Sequence, residues 1–372
     1  MRVRLDRERV RIAIVTESFL PQVNGVTNSV LRVCEQLAAR GHTALVVAPG
    51  PGPTSYAGAR VVRTPSVPLP GYRDFRLSRP WAGLSEELAA FEPDVVHLAS
   101  PAVLGAQAAF ASRRLGLPVV AVYQTDLAGF AAKYGLRRSE RAVWDWLRRV
   151  HGAARRTLAP SRHSVAELRR NGVQRVDRWA RGVDLDRFSP AHRDVELRRR
   201  LAPDGELLVG YVGRLAQEKE VGLLASLRDL PGVRLVVAGD GPRRAALQAQ
   251  LPGVPFLGFQ SGPALAATFA SLDAFVHTGS SETFCQAAQE ALASGVPVVA
   301  PAAGGLLDLV DHEVNGLHFA PGSGSSLRAA VRRLSQDEPG RWALQAGARP
   351  SVVGRTWDVI GDQLVRHYED VA

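Results

Sequence analysis

The sequence predicts an α/β protein of two domains, each containing a parallel sheet. Its 372 residues exceed the usual length of one domain, roughly 100–200 residues. Short β-branched runs alternate with helical stretches, which is the pattern of parallel strands joined by crossover helices. The alternation is interrupted once, by RGVDLDRFSPAHRD at residues 181–194, and then begins again. Two sets of strands on either side of one break indicate two Rossmann-like domains.

In the first half, five short apolar runs predict strands, and a helical period follows the first of them. The predicted helix covers residues 26–40 and ends before Gly41. The predicted strands are residues 11–15 (RIAIV), 44–48 (ALVVA), 94–98 (DVVHL), 119–123 (VVAVY) and 157–160 (TLAP).

The second half repeats this arrangement. Its predicted strands are residues 207–213 (LLVGYVG), 234–239 (RLVVAG), 254–258 (VPFLG), 274–278 (AFVHT) and 296–301 (VPVVAP). After Pro350, residues 355–370 (RTWDVIGDQLVRHYED) predict a final amphipathic helix.

Basic residues are concentrated in the first half. Residues 1–184 carry a formal charge of +13 and residues 185–372 carry −3, for a total of +10. This asymmetry predicts an anionic partner for the first half, which is nucleic acid, an anionic membrane surface or an acidic substrate. No helix-turn-helix, zinc-finger or aromatic RNA-binding pattern is present, so nucleic acid is not expected. Only Lys133 and Lys219 are lysines, which makes a lysine within a motif informative.

The composition is that of an ordinary globular protein, with 46% hydrophobic and 22% charged residues. The apolar run at residues 12–15 is too short for a signal peptide or a membrane span, and no later run approaches roughly eighteen apolar residues. We therefore expect a cytoplasmic protein that is at most peripheral to a membrane. Cys34 and Cys285 have no paired spacing, so buried, inert thiols are expected rather than a disulfide or a zinc site.

The first predicted strand is followed by TESFLPQVNGVTNSV, which places Asn24 and Gly25 just before a helix. The dinucleotide fingerprint G-x-G-x-x-G is absent, which counts against a nucleotide-dependent oxidoreductase or epimerase. Gly25 lets a phosphate or hydroxyl approach backbone N–H groups at the positive end of the helix dipole. A simple turn glycine is the alternative.

The segment YVGRLAQEKEVGLL combines a strand end with two cations. The strand ends at Gly213, and Arg214 and Lys219 follow, five residues apart. A diphosphate binds at the carboxyl edge of an open α/β sheet, where two cations would stabilise the charge on a departing phosphate. A solvated turn is the alternative, although one of only two lysines is here. Residues 238–242 (AGDGP) indicate a second glycine-containing strand end near the same face.

Two glutamates occur in SSETFCQAAQEALASGVPVVAPAAGG. Glu282 and Glu290 are eight residues apart, so a helix starting near Ser281 would place them on nearly the same face. A carboxylate accepts hydrogen bonds from two hydroxyls at once, as binding of a ribose or hexose requires. Two ordinary surface glutamates are the alternative, but Glu282 is at a predicted helix start directly after a strand.

Together these segments resemble the donor site of retaining glycosyltransferases of family 4, which have the GT-B fold. The resemblance is carried by VGRLAQEKE, AGDGP and the two glutamates, followed by a strand and AAGG. In the first half, TESFLPQVNGVTNSV, VYQTDLAGFA, LAPS and RWARGVDLDRF resemble the GDP-mannose-dependent α-mannosyltransferases that act on lipid acceptors in actinobacteria. The match covers residues 11–370. It implies an α/β protein with two Rossmann-like domains that face each other across a cleft, and a C-terminal helix that returns to the N-terminal domain.

The resemblance also implies how the work is divided. Residues 1–184 would bind the acceptor, residues 185–354 would bind the nucleotide sugar, and residues 355–372 would form the crossing helix. The implied reaction moves a hexose, mannose from GDP-mannose, to a hydroxyl of a lipid-linked or glycan acceptor with retention at the anomeric carbon. A UDP-sugar-dependent transferase that acts on a small-molecule or natural-product acceptor is the alternative.

In the front-face mechanism expected of such enzymes, the acceptor hydroxyl attacks from the side on which the diphosphate leaves, and the leaving phosphate takes the proton. Arg214 and Lys219 would bind the diphosphate and stabilise its charge. No D-x-D motif fits a metal-bound donor, so neither a metal nor a cofactor is expected. The other implied donor ligands are Gly25 and Gly213 near the diphosphate, Glu282 with the backbone of Thr283, Phe284 and Cys285 at the hexose, and Glu290 at the ribose.

One position departs from the family pattern. Many relatives have a histidine under the donor sugar where this chain has Gln124. A glutamine can hydrogen-bond the sugar but cannot act as a general base. Gln124 is still counted with Arg214, Lys219 and Glu282 as a catalytic candidate. Asp126 is the second candidate at this place, with helix capping as the alternative. The other acceptor-side candidates are Asn24, Tyr72 and Arg73.

Acceptor recognition is expected in the basic half. Residues 136–150 (LRRSERAVWDWLRRV) combine arginines with apolar residues, so this helix could lie on an anionic leaflet. A core-packed helix with a solvated basic face is the alternative. Residues 71–81 (GYRDFRLSRPW) predict a loop that contacts an acidic or lipid acceptor, with a merely mobile loop as the alternative.

Overall fold

A computed structural model describes residues 9–69, 72–126 and 140–372, without the side chains of residues 69 and 72–75. The side chains of Tyr72 and Arg73, and residues 136–139 of the predicted basic helix, therefore lie outside the described residues. The chain divides into two compact units. The first consists of Met1–Arg181 with Trp357–Ala372, and the second of Gly182–Thr356.

The first unit is organised around a parallel sheet. Its strands are β1 (Arg11–Val15), β2 (Thr43–Pro49), β3 (Ser55–Tyr56) and β4 (Ala59–Thr64), then, after the hairpin β5 (Ser66–Leu69) and β6 (Tyr72–Ser78), β7 (Val95–Leu98), β8 (Val119–Val122), β9 (Arg156–Ala159) and β10 (Val176–Arg178). The order in the sheet is β10-β9-β8-β7-β1-β2-β4-β3, with β3 antiparallel to β4. Strands β7 and β8 are buried along their whole length, as expected of a parallel sheet that is covered on both faces.

Helices connect these parallel strands. They are α1 (Gly25–Ala39), α2 (Gly83–Phe91), α3 (Val103–Leu115), α4 (Glu140–Gly152) and α5 (Arg162–Arg170). From β1 the strand order continues through β2 toward one edge of the sheet, and from β7 it continues through β8 toward the other edge. The order therefore reverses between β1 and β7, which is the topological switch point of this sheet.

The second unit contains a parallel sheet of its own. Its strands are β11 (Leu207–Val212), β12 (Val233–Ala238), β13 (Phe256–Gly258), β14 (Ala274–Val276), β15 (Val298–Pro301) and β16 (Gly316–Phe319), in the order β13-β12-β11-β14-β15-β16. Its helices are α6 (Val195–Leu201), α7 (Arg244–Gln250), α8 (Gly262–Ser271), α9 (Gln286–Ala293), α10 (Gly324–Gln336) and α11 (Glu338–Ala348). The switch point of this sheet lies between β11 and β14.

The last helix, α12 (Trp357–Glu369), packs on the core of the first unit. The indole Nε1 of Trp179 donates to the carbonyl of Ile360 at 3.0 Å, and Nδ1 of His97 is 2.6 Å from the hydroxyl of Tyr368. Burial, together with the nearby Arg181 charge, lowers the pKa of His97 to about 3, so the ring is neutral in this contact. These bonds and the apolar face of α12 attach the C-terminus to residues that lie 181 and 271 positions earlier in the chain.

The ten strands expected from the apolar runs are all present, but some neighbouring elements differ from expectation. Residues 72–78, expected as part of a loop, form β6, which pairs antiparallel with β5. Charged and apolar residues alternate from Asp74 to Leu77, as in a strand, but the arginines made this segment look like an exposed loop. The strands β4, β10 and β16 were not predicted, because each is short or contains arginine or histidine.

The basic helix α4 buries its apolar face. Trp144 and Leu147 pack with Tyr123 and Leu168 in one cluster of the core. The exposed face carries Arg148, and the Trp146 ring is 38% exposed. The alternative of a core-packed helix with a solvated basic face therefore describes the residues of α4 that the structure covers. Within the described ranges, no helix is both long and apolar enough to cross a bilayer.

Candidate active site

Loops at the switch point of the second sheet bring together the cationic and acidic residues that the sequence singled out. The loop after β11 carries Arg214 and Lys219, and the loop after β14 carries Glu282. Lys219 Nζ is 2.5 Å from Oε1 of Glu282, across 63 residues of sequence. The same oxygen is 2.9 Å from Nε2 of His277, a residue at the end of β14 that was not among the predicted site residues.

In this cluster, the pKa shifts of Glu282, Lys219 and His277 all favour the charged form. Burial opposes ionisation of Glu282, but the Lys219 ammonium and the His277 hydrogen bond outweigh it, so the pKa of Glu282 lies far below its usual range. Burial likewise opposes the charge on Lys219, and the Glu282 carboxylate reverses the effect and raises the pKa of Lys219. For His277, burial is again outweighed, by the Cys285 sulfur and Glu282, and the pKa rises to about 9. The site therefore contains two cations on one carboxylate oxygen near neutral pH.

Further hydrogen bonds join the two loops. The Thr278 hydroxyl donates to the backbone carbonyl of Lys219 at 2.6 Å. The Ser280 hydroxyl donates to the Glu220 carboxylate at 2.5 Å, and the Ser280 N–H reaches the same carboxylate at 3.3 Å. The backbone that carries Lys219 is thus fixed relative to the backbone that carries Glu282.

Two glycines let neighbouring loops approach this cluster. Gly239, at the start of the GDGP turn, has φ +136°, and a Cβ there would be 1.9 Å from the carbonyl oxygen of Gly213. Gly305 donates its N–H to the carbonyl of Glu282 at 2.7 Å, and a Cβ there would be 2.3 Å from the carbonyl of Thr283. The glycines of AGDGP and AAGG are therefore required for the packing of these loops, in addition to any role in binding.

The helix after Glu282 begins later than expected. It starts at Gln286, with Cys285 as a left-handed cap residue (φ 92°), so Glu282 is in the preceding loop and not on a helix face. The prediction that Glu282 and Glu290 share a face of one helix is therefore wrong. The residues before Cys285 follow a bent path, and in this conformation Glu282 contacts Lys219. Glu290 lies within α9 and is half-buried.

Three further donor candidates have different environments. Gly213 follows β11 with φ +155°, and Phe284 is buried at 5% exposure. The Arg214 guanidinium is 40% exposed and lies 3.6 Å from the Glu218 carboxylate. Burial lowers the pKa of Arg214, and the Glu218 charge partly opposes that shift. Arg214 is therefore the more accessible of the two cations in the loop after β11.

The same cluster includes side chains that can bind a metal. His277, Glu282 and Cys285 each offer one ligand atom, and the three atoms lie within 4.8 Å of one another. Oε1 of Glu282 is already bonded to Lys219 and His277. The expectation of a metal-free reaction stays a prediction.

In the first unit, Asn24 and Gly25 form the start of α1 at the carboxyl end of β1. Asn24 Oδ1 accepts from the N–H groups of Val26 and Thr27, both at 3.0 Å, and Asn24 Nδ2 donates to the Ser18 hydroxyl at 2.6 Å. The Asn24 side chain thus caps the helix. A Cβ at Gly25 would meet nothing within 4 Å, so open space adjoins the first helical residue.

Gln124 lies just after β8 and is held at both ends of its amide. Its Nε2 donates to the carbonyl of Ala99 at 3.0 Å, and its Oε1 accepts from the Arg181 guanidinium at 2.6 Å. Both side chains are buried, and burial lowers the pKa of Arg181 to about 10. Arg181 was not predicted as a site residue, although RWARGVD contributed to the resemblance. A pairing across 57 residues has no local sequence signal.

Asp126 belongs to an acidic cluster near Gln124. The Tyr123 hydroxyl lies 3.4 Å from Oδ1 of Asp126 and 3.3 Å from Oε2 of Glu167. Burial and the Asp126 charge raise the pKa of Glu167 to about 7. Helix capping by Asp126, the alternative to a catalytic role, would involve residues outside the described part of the chain.

Glu17, in the TESFLP segment, is a buried carboxylate that sequence reasoning passed over. It accepts hydrogen bonds from the backbone N–H groups of Leu104, at the start of α3, and of Ser78, at 3.3 Å. Burial raises its pKa, and the backbone bonds oppose that shift. Glu17 thus attaches the end of β1 to the β5–β6 hairpin and to α3. A charged residue two positions after the end of a buried strand was the available signal.

Two family models match the chain, and the boundary between them is near the boundary between the two units. Residues 23–187 match the family model described as Glycosyltransferase Family 4, and residues 193–350 match Glycosyl transferases group 1. The chain is 50% identical over 369 residues to the GDP-mannose-dependent alpha-mannosyltransferase of Mycobacterium tuberculosis, covering 97% of each chain. It is 33% identical to the sulfoquinovosyl transferase SQD2 of Arabidopsis thaliana, covering 93% of this chain and 71% of that protein.

Solved structures give the same fold. The HepE protein of Anabaena in complex with UDP-glucose matches with a TM-score of 0.77 at 21% identity, covering 97% of this chain and all of that one. The sucrose-phosphate synthase of Thermosynechococcus elongatus matches with a TM-score of 0.78 at 21% identity, covering 97% and 98%. These likenesses confirm the predicted α/β fold of GT-B type, and the sequence matches confirm the resemblance on which that prediction rested. The chain is therefore a glycosyltransferase and belongs to family 4.

Proposed function

We propose that the protein transfers mannose from GDP-mannose, with retention at the anomeric carbon, to a hydroxyl group of a lipid-linked or glycan acceptor. The observation that carries the proposal is the Lys219–Glu282–His277 cluster at the switch point of the second sheet, in a chain half identical to GDP-mannose-dependent alpha-mannosyltransferases. The identity supports GDP-mannose over a UDP-sugar as donor.

We assign donor recognition to the second unit. Lys219 and His277 both bond to Oε1 of Glu282, and Oε2 of the same carboxylate can accept hexose hydroxyls. The Lys219 ammonium has further N–H donors for the diphosphate, and the more exposed Arg214 is the second cation that we assign to it. The remaining donor contacts in this proposal are the backbone of Gly213 and of Thr283, Phe284 and Cys285, the backbone at Gly25 and the carboxylate of Glu290.

The reaction forms one bond and breaks one bond at the anomeric carbon. The acceptor hydroxyl oxygen bonds to that carbon while the bond to the GDP β-phosphate oxygen breaks, on the same face of the sugar. The acceptor proton passes to the leaving phosphate, so no protein base is needed. Lys219 and Arg214 stabilise the negative charge that collects on the diphosphate.

Gln124 fits a positioning role in this scheme. Its amide is oriented by Ala99 and Arg181, and an amide takes no proton at neutral pH. We place Gln124 and Asp126 on the sugar and acceptor side, together with Tyr72 and Arg73. Asn24 contributes by holding the first turn of α1, which includes Gly25.

The positive charge of residues 1–184 favours an anionic acceptor or an anionic membrane surface. Helix α4 exposes Arg141, Arg148 and Arg149, and its Trp146 is 38% exposed. Because the apolar face of α4 is buried, we propose contact with lipid head groups through charge and not through insertion. The protein would then work as a peripheral enzyme on the cytoplasmic face of the membrane, without binding nucleic acid.

Donor hydrolysis tests the proposal. The purified protein is incubated with GDP-mannose, GDP-glucose, UDP-glucose or UDP-galactose, and nucleoside diphosphate release is measured with and without a membrane extract as acceptor. We expect GDP-mannose to be turned over at the highest rate and the product linkage to be α by NMR. Faster turnover of a UDP-sugar, or a β-linked product, would contradict the donor or the stereochemistry, respectively.

A further inference from the structure

The cluster around Glu282 contains three side chains of types that bind metal ions. His277, Glu282 and Cys285 offer one nitrogen, one oxygen and one sulfur atom, all within 4.8 Å of one another. Ligand atoms around one tetrahedral Zn²⁺ are roughly 3–4 Å apart, because the bonds are about 2.0–2.3 Å long. The three side chains therefore need only small shifts to reach a common ion.

His277 supplies an independent sign that the cluster can take a ligand. The residue is 4% exposed, and its Nδ1 atom has no hydrogen-bond partner among the described residues. Nε2 already bonds to Glu282, and an ion that binds the ring would take the place of a ring proton. A buried nitrogen that makes no hydrogen bond is rare in folded proteins, and imidazole nitrogen is a preferred ligand of Zn²⁺.

The combination of ligand atoms selects the class of cation. Mg²⁺ and Ca²⁺ prefer oxygen ligands, and a thiolate with an imidazole favours a borderline-soft cation such as Zn²⁺. Cys285 is buried at 7% exposure, on the left-handed residue that precedes α9.

Lys219 determines what such an ion would do. Its ammonium lies 2.5 Å from Oε1 of Glu282. A divalent cation on the same carboxylate would be strongly repelled by the ammonium at this distance, so Lys219 and the cation exclude each other from Glu282.

We propose that His277, Glu282 and Cys285 form an inhibitory site for a borderline-soft divalent cation, represented by Zn²⁺. The bound ion displaces Lys219 from Glu282. The ion-bound carboxylate then no longer accepts hydrogen bonds from the hydroxyl groups of the donor sugar. Zn²⁺ and GDP-mannose then compete for the free enzyme. This competition rests on the proposed donor role of Glu282, whereas binding of the ion does not.

Co²⁺ binding tests the site directly, because a thiolate-bound Co²⁺ has a near-ultraviolet charge-transfer band. The full chain, freed of any affinity tag, is titrated with Co²⁺, and Zn²⁺ is then added to displace it. We expect the band in the wild type and in Cys34→Ala, which removes the other, buried thiol. Cys285→Gly, which suits the left-handed backbone, should lack the band and bind Zn²⁺ at least about tenfold more weakly. Lys219→Met should bind Zn²⁺ about tenfold more tightly, since the competing charge is gone.

Three results of the Co²⁺ titration would overturn the inhibitory site. The first is a wild type without the band, even if Lys219→Met shows it. The others are a band that survives in Cys285→Gly and a band that disappears in Cys34→Ala. With GDP-mannose, Zn²⁺ should raise KM without lowering kcat in the wild type and have no effect on Cys285→Gly. If GDP-mannose proves not to be the donor, the kinetic result fails while the Co²⁺ band and its dependence on Cys285 remain.

Discussion

The two units hold Lys219 and Arg181, the cations of their candidate sites, in different ways. In the second unit, Lys219 is paired with a carboxylate, Glu282, and both charges are stabilised by the pair. In the first, Arg181 donates to the neutral amide of Gln124, and burial lowers the pKa of Arg181. An ion pair can exchange one partner for a charged ligand, whereas the amide–guanidinium pair mainly orients the amide. This difference supports the proposal that the second unit carries the chemistry and that the first unit positions the reactants.

The largest effect is expected from Lys219→Met. Loss of a cation that stabilises the leaving diphosphate should lower kcat with GDP-mannose by about 10²–10³-fold. The fold should persist, because Glu282 keeps its hydrogen bond to His277. Initial rates and circular dichroism check both points. Wild-type turnover in a folded variant would remove Lys219 from the reaction.

Glu282→Gln should have the next largest effect. The amide keeps the shape of the side chain but weakens its bonds to sugar hydroxyls, so kcat/KM should fall by about 10–100-fold, the equivalent of one charged hydrogen bond. The matched control is Glu290→Gln, assigned to the ribose. Calorimetry should find GDP binding weakened by Glu290→Gln and unchanged by Glu282→Gln. Equal losses of GDP affinity would contradict separate sugar and ribose roles.

Arg181→Met tests the pair in the first unit. The Oε1 atom of Gln124 would lose this donor while buried, which should lower the free energy of unfolding by about 1–3 kcal/mol. The rate should fall less than in Lys219→Met, because Arg181 acts through Gln124. Urea unfolding of Arg181→Met, Gln124→Met and the double variant measures the coupling. Additive losses would show that the hydrogen bond contributes nothing.

The smallest effect concerns Glu167. Its folded pKa of about 7 lies above the ordinary value of 4.5, because of burial and the Asp126 charge, with Glu140 acting in the same direction and Tyr123 and Arg170 against it. A raised carboxyl pKa contributes stability that is present below pH 4.5 and is lost as the pH rises to about 7. Wild-type unfolding free energy should therefore fall over this range relative to Glu167→Gln. Parallel profiles for the two proteins, measured by urea unfolding, would contradict the shift.

Local sequence patterns were sufficient for the repeating parts of the molecule. The apolar runs predicted the central strands, because a parallel strand buried on both faces is apolar throughout. The glycines of AGDGP were recognised as a strand end, and the approach to Gly213 explains why glycine is needed there. Polar or short strands were missed, since β4 and β10 contain arginines that a solvent-facing loop would also contain.

The sequence by itself determined the α/β class, the two strand sets and the family, because these depend on local periodicity and on motifs read in order. Only the tertiary structure decided which charges meet. It paired Lys219 with Glu282 and Gln124 with Arg181, and it brought His277 to the site. It also started α9 at Gln286 and not near Ser281. The physical reason is that such contacts join residues up to 63 positions apart, and their energy depends on burial and on partners that no local pattern contains.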